Sequence, residues 1–271
     1  MYFSMDEIGF ENTKKIKSIK SEAERWQFIY DTALSYGFEG IHVTPSLYNE
    51  DFGLDLNNIP GNFQDFRLTL HFGGLHRIIS NDDYMAFDSA LSQGFEIATR
   101  NNMHDISLHP PFIRGISQDD KKSCVEYFHK AVEKWLSIAI KNNISLSLET
   151  HVTGEAFLFD GLGEYINFID NYPDLGVLID ISHNFYDGYS EDEIISHLAS
   201  KSIKSFHISD ALRGADFNDG LHLALGSGSI DIARILEGFA HIPDLCSVLE
   251  IKATNEGIAK SLDILKQWRK T

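Results

Sequence analysis

Six times along the chain a short β-branched or apolar run ends on a side chain able to ligate a metal. The runs are LTLHF at His71, ISLHP at His109, SLSLETH at Glu149, VLIDISH at Asp180, SFHISD at His207 and SVLEIK at Glu250. Successive ends lie 27 to 43 residues apart, room for one helix each. That rhythm predicts an α/β fold, a (β/α)8 TIM barrel, whose functional groups gather at the C-terminal ends of its strands. Two further β-rich runs, at 2–5 and 39–43, bring the strand count to the eight that close such a barrel.

The 271 residues are expected to form one domain, 1–271, since the barrel typically needs about 250. Amphipathic stretches fill the intervals. The stretch 21–36 stops before Gly37, 118–142 starts after Ser117 with Asp120 three positions on, and Ser190 pairs with Glu193 in the same way. Further helices are expected at 81–102, 161–172, 229–239 and 256–269. The interval 45–66 breaks the rhythm: it is rich in Asn, Asp, Gly and Pro and lacks a helical period. Its aromatics Tyr48, Phe52 and Phe63 either cover a pocket at the rim or pack on the barrel wall.

A formal net charge of −17 opposes nonspecific attraction to nucleic acid or anionic lipid. No apolar run approaches the roughly 18 residues that a membrane span requires, and acidic residues stand where a signal peptide needs bases. A cytoplasmic location is the resulting expectation. Cys124 and Cys246 have no zinc-finger or CxxC spacing and read as buried reduced thiols.

Residues two apart on a strand share a face, so Ser147 and Ser145 accompany Glu149, Leu178 and Gly176 accompany Asp180, Ser205 accompanies His207, and Val248 and Cys246 accompany Glu250. These small or apolar partners suit barrel layers and leave the polar residue at the mouth. Glu149, Asp180, His207 and Glu250 together would repel unless neutralised, and one divalent cation removes that conflict. The three carboxylates and one imidazole favour a hard or borderline ion, Mn²⁺ first, with Mg²⁺, Co²⁺ and Zn²⁺ open.

With its DxxH of Asp180 and His183, its FHISD around His207, its HLALGSGSID segment and its terminal Glu250 in this order, the chain resembles the xylose isomerase-like TIM barrels. That superfamily contains sugar isomerases and epimerases, inosose and dehydroshikimate dehydratases, and type IV AP endonucleases. The resemblance implies one catalytic metal on Glu149, Asp180, His207 and Glu250. In the ketose 3-epimerase branch the two glutamates also exchange protons with the substrate, which assigns catalysis to Glu149 and Glu250 through a metal-stabilised enediolate. His183, Glu155 and Arg213 then match residues that bind substrate oxygens.

The extra histidines open an alternative. The endonuclease branch binds further zinc through histidines matching His71, His109, His183 and His222, and all four are present. Its ninth ligand is missing: Gly220 stands there, with Asp219 one position off. His71 and His109 therefore either hold a second metal bridged by Glu149 or hydrogen-bond substrate. Gly226 and Gly228 read as a tight turn into the next helix, started by Ser229 or Asp231, with phosphate binding there as the sharper reading. His42 can line the pocket, while alternation turns His151 away from Glu149 unless the strand has already ended. His76, His104, His129, His197 and His241 read as surface or packing residues.

Between the reactions, the interval 45–66 carries Glu50, Asp51, Asp55 and Asp65 and no Lys or Arg, which repels a phosphate backbone. Arg77 and Arg114 fit a sugar phosphate better than a duplex groove. The expectation is therefore a metal-dependent isomerase or epimerase of a small sugar, keto-polyol or sugar phosphate. A zinc-dependent AP endonuclease or a dehydratase stands as the alternative. A homo-oligomer that covers each pocket with a neighbour's loop is also implied by the resemblance.

Overall fold

The computed structural model describes residues 2–6, 18–44, 55–73, 76–153, 157–252 and 254–268. Eight strands form one closed parallel barrel in sequential order. They are β1 (Tyr2–Asp6), β2 (Gly40–Val43), β3 (Arg67–Phe72), β4 (Asp105–Leu108), β5 (Ser145–Glu149), β6 (Gly176–Asp180), β7 (Ile203–Ile208) and β8 (Cys246–Leu249). Closure is made by β1 on β8, with Ser4 opposite Val248.

The longer helices begin and end where local chemistry dictates. Of these, α1 (Glu22–Tyr36) stops at Gly37, whose φ of 73° is a left-handed conformation that glycine adopts without steric cost. Both α2 (Asn81–Arg100) and α3 (Gln118–Lys141) open on reciprocal caps, Ser80 with Asp83 and Ser117 with Asp120. Each cap satisfies helix N–H groups that otherwise lack partners. Downstream lie α4 (Leu162–Ile169), α5 (Ile181–Tyr186), α6 (Glu191–Leu198), α7 (Phe217–Gly220), α8 (Ile232–Gly238) and α9 (Asn255–Trp268). The Ser190–Glu193 cap opens α6 as its sequence requires.

Between β2 and β3 the described residues hold two 3₁₀ turns, Leu56–Asn58 and Gly61–Asp65, and no α-helix. Phe63 packs against Trp26 with ring centroids 4.8 Å apart and is buried on the barrel wall, so it does not cover a pocket at the mouth. Removing a side chain of that size from water stabilises by roughly 1.5–3 kcal/mol, enough to pin the segment beneath α1. Tyr48, Phe52, Glu50 and Asp51 lie outside the described residues.

Two apolar layers result. The larger fills the space between the strands and the helices, while Val248 and Cys246 form a separate small cluster. A cavity walled by His42, Thr69, Ser107, Ser147, Ser205 and Cys246 lies within the barrel, so small polar groups line much of its lower bore. Cys124 and Cys246 are both buried, and no disulfide joins them. Among the described residues no helix is long and apolar enough to cross a membrane.

Candidate metal centre

Every one of the six marked side chains stands at or beside a strand's C-terminal end. Glu149 and Asp180 are the last residues of β5 and β6, His71 and His207 the last but one of β3 and β7, and His109 and Glu250 directly follow β4 and β8. Parallel pairing sets Asp180 opposite His207, so their side chains share a face. Asp180 also caps α5: one oxygen accepts the His183 N–H and the Ser182 hydroxyl, each at 2.8 Å. This double anchor leaves the other oxygen to the cluster, which is the local reason for Asp-x-x-His.

Glu149 sits at the centre, 1% exposed. One of its oxygens lies 3.0 Å from His109 Nε2 and 3.6 Å from His71 Nε2. The other lies 3.5 Å from His183 Nδ1 and 3.6 Å from His207 Nδ1. His207 Nδ1 also approaches Glu250 at 2.7 Å and Asp180 at 3.8 Å. A second histidine pair, His183 and His222, brings its Nε2 atoms to 3.2 Å.

These approaches are close but poorly satisfied. Glu149 Oε2, Asp180 Oδ2, His207 Nδ1, His222 Nδ1 and Glu250 Oε2 are buried without an aligned hydrogen-bond partner. Burying such atoms unpaired is costly, and their convergence is the arrangement a cation satisfies. Ligand atoms held at about 2.0–2.2 Å by one tetrahedral ion stand ~3.4 Å from one another. The Glu149, Asp180 and His207 donors fit one ion within modest adjustment, with Glu250 beside His207. A second compatible group is His71, His109 and Glu149, and a third is Asp180, His183 and His222.

Electrostatics among these side chains follow from the same crowding. Burial opposes ionisation of Glu149 and Glu250, but His109 and His207 around the first, and His207 and His222 around the second, outweigh it and hold both carboxyls well below the usual range. Asp180 goes the other way: burial pushes it up to about 6, with Glu250 and Glu149 adding repulsion. His207 is raised well above its ordinary value because the two glutamates overcome its burial, and His109 is raised by Glu149 against the same penalty. Burial lowers His71, His222 and His183, the last to about 4. The carboxylates thus favour positive charge on His207 and His109, the kind of charge a bound cation would supply instead.

Several expectations change. His151 is not turned away: β5 ends at Glu149, strand alternation stops there, and the ring comes 4.4 Å from that of His183 and 4.8 Å from that of His109. Asp219 is exposed on α7 and joins none of the ligand groups among the described residues, so the missing ninth ligand is not replaced from that position. Arg213 donates to the backbone carbonyls of Phe185, at 3.1 Å, and Tyr189, at 2.5 Å, with its guanidinium over the Phe185 ring. Glu155 lies outside the described residues. His42, which only its strand-end position marked, is buried behind His207 with the Nε2 atoms 3.2 Å apart.

The glycine turn after His222 is not an open anion site. Asp210 fills it from within, accepting the N–H groups of Gly226 at 3.0 Å, Gly228 at 2.8 Å, Ile230 at 3.0 Å and Ala211 at 2.9 Å. The next helix is capped by Asp231, which accepts the Arg234 N–H at 3.0 Å. A phosphate would have to displace a buried carboxylate from four donors.

A closed (β/α)8 barrel with carboxylates and imidazoles meeting at its C-terminal mouth defines the class. The family model described as xylose isomerase-like TIM barrel matches residues 30–268, and the chain belongs to that family. Apurinic-apyrimidinic endonuclease 1 of Saccharomyces cerevisiae is 26% identical over 178 residues, which cover 60% of this chain and 47% of that protein. The chain thus spans about half the length of the curated relative it matches. Among solved structures, a D-tagatose 3-epimerase-like protein superposes with a TM-score of 0.78 at 17% identity, covering 100% of this chain and 97% of its own. The IOLI protein with a binding zinc atom gives 0.70 at 13%, covering 99% and 96%. At such identities these structures establish likeness of fold.

Proposed function

We propose that the protein is a divalent-metal-dependent isomerase or epimerase of a small sugar, keto-polyol or sugar phosphate. The observation that carries the reading is the convergence of unpartnered Glu149, Asp180, His207 and Glu250 atoms at the barrel mouth. The epimerase-like fold neighbour and the acidic interval 45–66 support sugar over nucleic acid. Manganese is the first choice for this donor set, and zinc gains weight if the His71–His109 group also fills.

A bound cation would supply positive charge against the negative charge that develops on a carbonyl oxygen during proton removal. The proton itself is the business of the two glutamates. Glu250 follows β8 and its side chain is 25% exposed, against 1% for Glu149, so it is the carboxylate that meets solvent and substrate first. Glu149 approaches from β5. Two carboxylates reaching the substrate carbon from different strands can remove a proton on one side and return it on the other. His183 lies beside them to hydrogen-bond a substrate oxygen, and Glu155 is assigned to substrate hydroxyls. Arg213, whose bonds to the Phe185 and Tyr189 carbonyls brace the link between α5 and α6, is likewise assigned to substrate hydroxyls.

A second reading, a metal-dependent phosphodiesterase, is favoured by the His71, His109 and Glu149 group and by the yeast endonuclease relative. Incubation with ketoses and sugar phosphates in deuterated water separates the two. The proposed activity leaves deuterium on the carbon beside the carbonyl. Cleavage of abasic DNA with no label in any sugar would establish the phosphodiesterase instead.

A further inference from the structure

His207 has two working nitrogens. Its Nδ1 faces Glu250 and Glu149, while its Nε2 faces His42 Nε2 at 3.2 Å with the ring planes crossing at 82°. On the far side, His42 Nδ1 lies 2.6 Å from the hydroxyl of Thr69. Thr69 is the register partner of His42 across the β2–β3 ladder, so strand pairing itself sets this contact. All three groups are buried.

Proton counting fixes the direction of the chain. A ligating Nδ1 on His207 leaves the ring's proton on Nε2, which then donates to His42. His42 Nε2 must accept, so its single proton stands on Nδ1 and is donated to Thr69 Oγ1. The opposite tautomer of His42 would face two N–H groups at 3.2 Å. His71 has the same construction one strand along: its Nδ1 lies 2.8 Å from the hydroxyl of Ser107, its own register partner on β4.

We propose that His42 is a positioning residue that, braced by Thr69, holds His207 in the orientation and tautomer that present Nδ1 to the metal. This deepens the metal-dependent reading and rests on it. Groups that orient a metal-bound histidine typically contribute 10–100-fold in affinity. Glutamine at 42 keeps an acceptor near the Nε2 position, whereas leucine removes it with similar bulk.

The test is competition of chelator-stripped wild type, His42→Gln, His42→Leu and Thr69→Val against a chromophoric chelator, titrated with Mn²⁺ and Zn²⁺. His42→Leu is expected to bind about 10–100-fold more weakly, His42→Gln within a few-fold of wild type, and Thr69→Val in between. Unchanged affinity in His42→Leu overturns the proposal. So does an equal loss in His42→Gln and His42→Leu, which would make the His42 imidazole itself a ligand with His71 and His207. If the leucine variant does not fold, wild-type affinity in Thr69→Val overturns it.

Imidazole ¹⁵N spectra of the metal-free wild type give a readout independent of metal. His42 is expected as the Nδ1–H tautomer, and an Nε2–H tautomer refutes the relay. A wild type that binds no metal but shows the Nδ1–H form removes the metal reading and leaves the hydrogen-bond relay standing.

Discussion

Asp210 grips the backbone N–H of Gly228 at 2.8 Å, and a side chain on that glycine would run into the same carboxylate and the Ala211 carbonyl. The backbone of Asp210 also pairs with Leu223 in both directions at 2.9 Å. Leu223 follows His222, whose φ of 57° is unusual for a residue with a side chain. Asp210 therefore fixes where His222 stands. Asp210→Asn keeps the shape but turns an NH2 group toward backbone donors, and should lose about 1–3 kcal/mol in urea unfolding. Gly228→Ala should show a comparable loss, and wild-type stability in both variants would refute this account of the loop.

The His71–His109 group makes a prediction in metal stoichiometry. The Nε2 atoms are 3.0 Å apart and both face Glu149. Wild type is expected to hold a second equivalent there, and His109→Ala to lose that equivalent while keeping the one at Glu149, Asp180, His207 and Glu250. Elemental analysis of both proteins decides. A single equivalent in each returns His71 and His109 to substrate contacts.

Replacing Glu250 by Gln should remove solvent deuterium exchange into substrate by at least about 100-fold, the low end of what a positioned acid–base group contributes. Circular dichroism should remain that of wild type. Normal exchange in this variant would take the proton-transfer role from Glu250.

Away from the centre, Asp187 accepts the Thr153 N–H at 2.6 Å, yet burial raises its carboxyl from 3.8 to about 6. The folded chain thus retains this proton over a range where the unfolded chain has released it. Its contribution to stability is present at low pH and is lost as pH rises from about 4 through 6. Asp187→Asn does not titrate, so its melting temperature should gain on wild type between pH 4.5 and 7.5. A pH-independent difference would exclude this linkage.

Gly94 lies mid-way along α2, where alanine would ordinarily favour the helix by about 1 kcal/mol. A Cβ there would enter the buried Phe72 ring at the end of β3. Gly94→Ala should instead cost about 1–3 kcal/mol, because a close-packed ring cannot yield without displacing its neighbours. Thermal unfolding gives the sign directly.

The strand rhythm and the helix punctuation were legible in the sequence because they rest on local chemistry. A β-rich run, a Ser with Asp or Glu three places on, and a glycine after the last apolar turn act over a few residues, and the barrel places them as expected. The strand ends also marked Glu149, Asp180, His207 and Glu250, since the C-terminal rim of a closed parallel barrel brings such ends together. His151 escaped this reading because strand alternation was carried two residues beyond the actual end of β5.

What local chemistry determined is which side chains reach the mouth. Which atoms then face one another was decided only by closure and register. Barrel closure puts His42 against His207 across 165 positions, and the ladder sets Thr69 beneath His42. The chain's return after α7 brings the glycine turn onto Asp210, turning what reads as an open anion cradle into one already filled. Hydrogen bonds between distant segments depend on distances of a few tenths of an ångström, and no linear spacing encodes these.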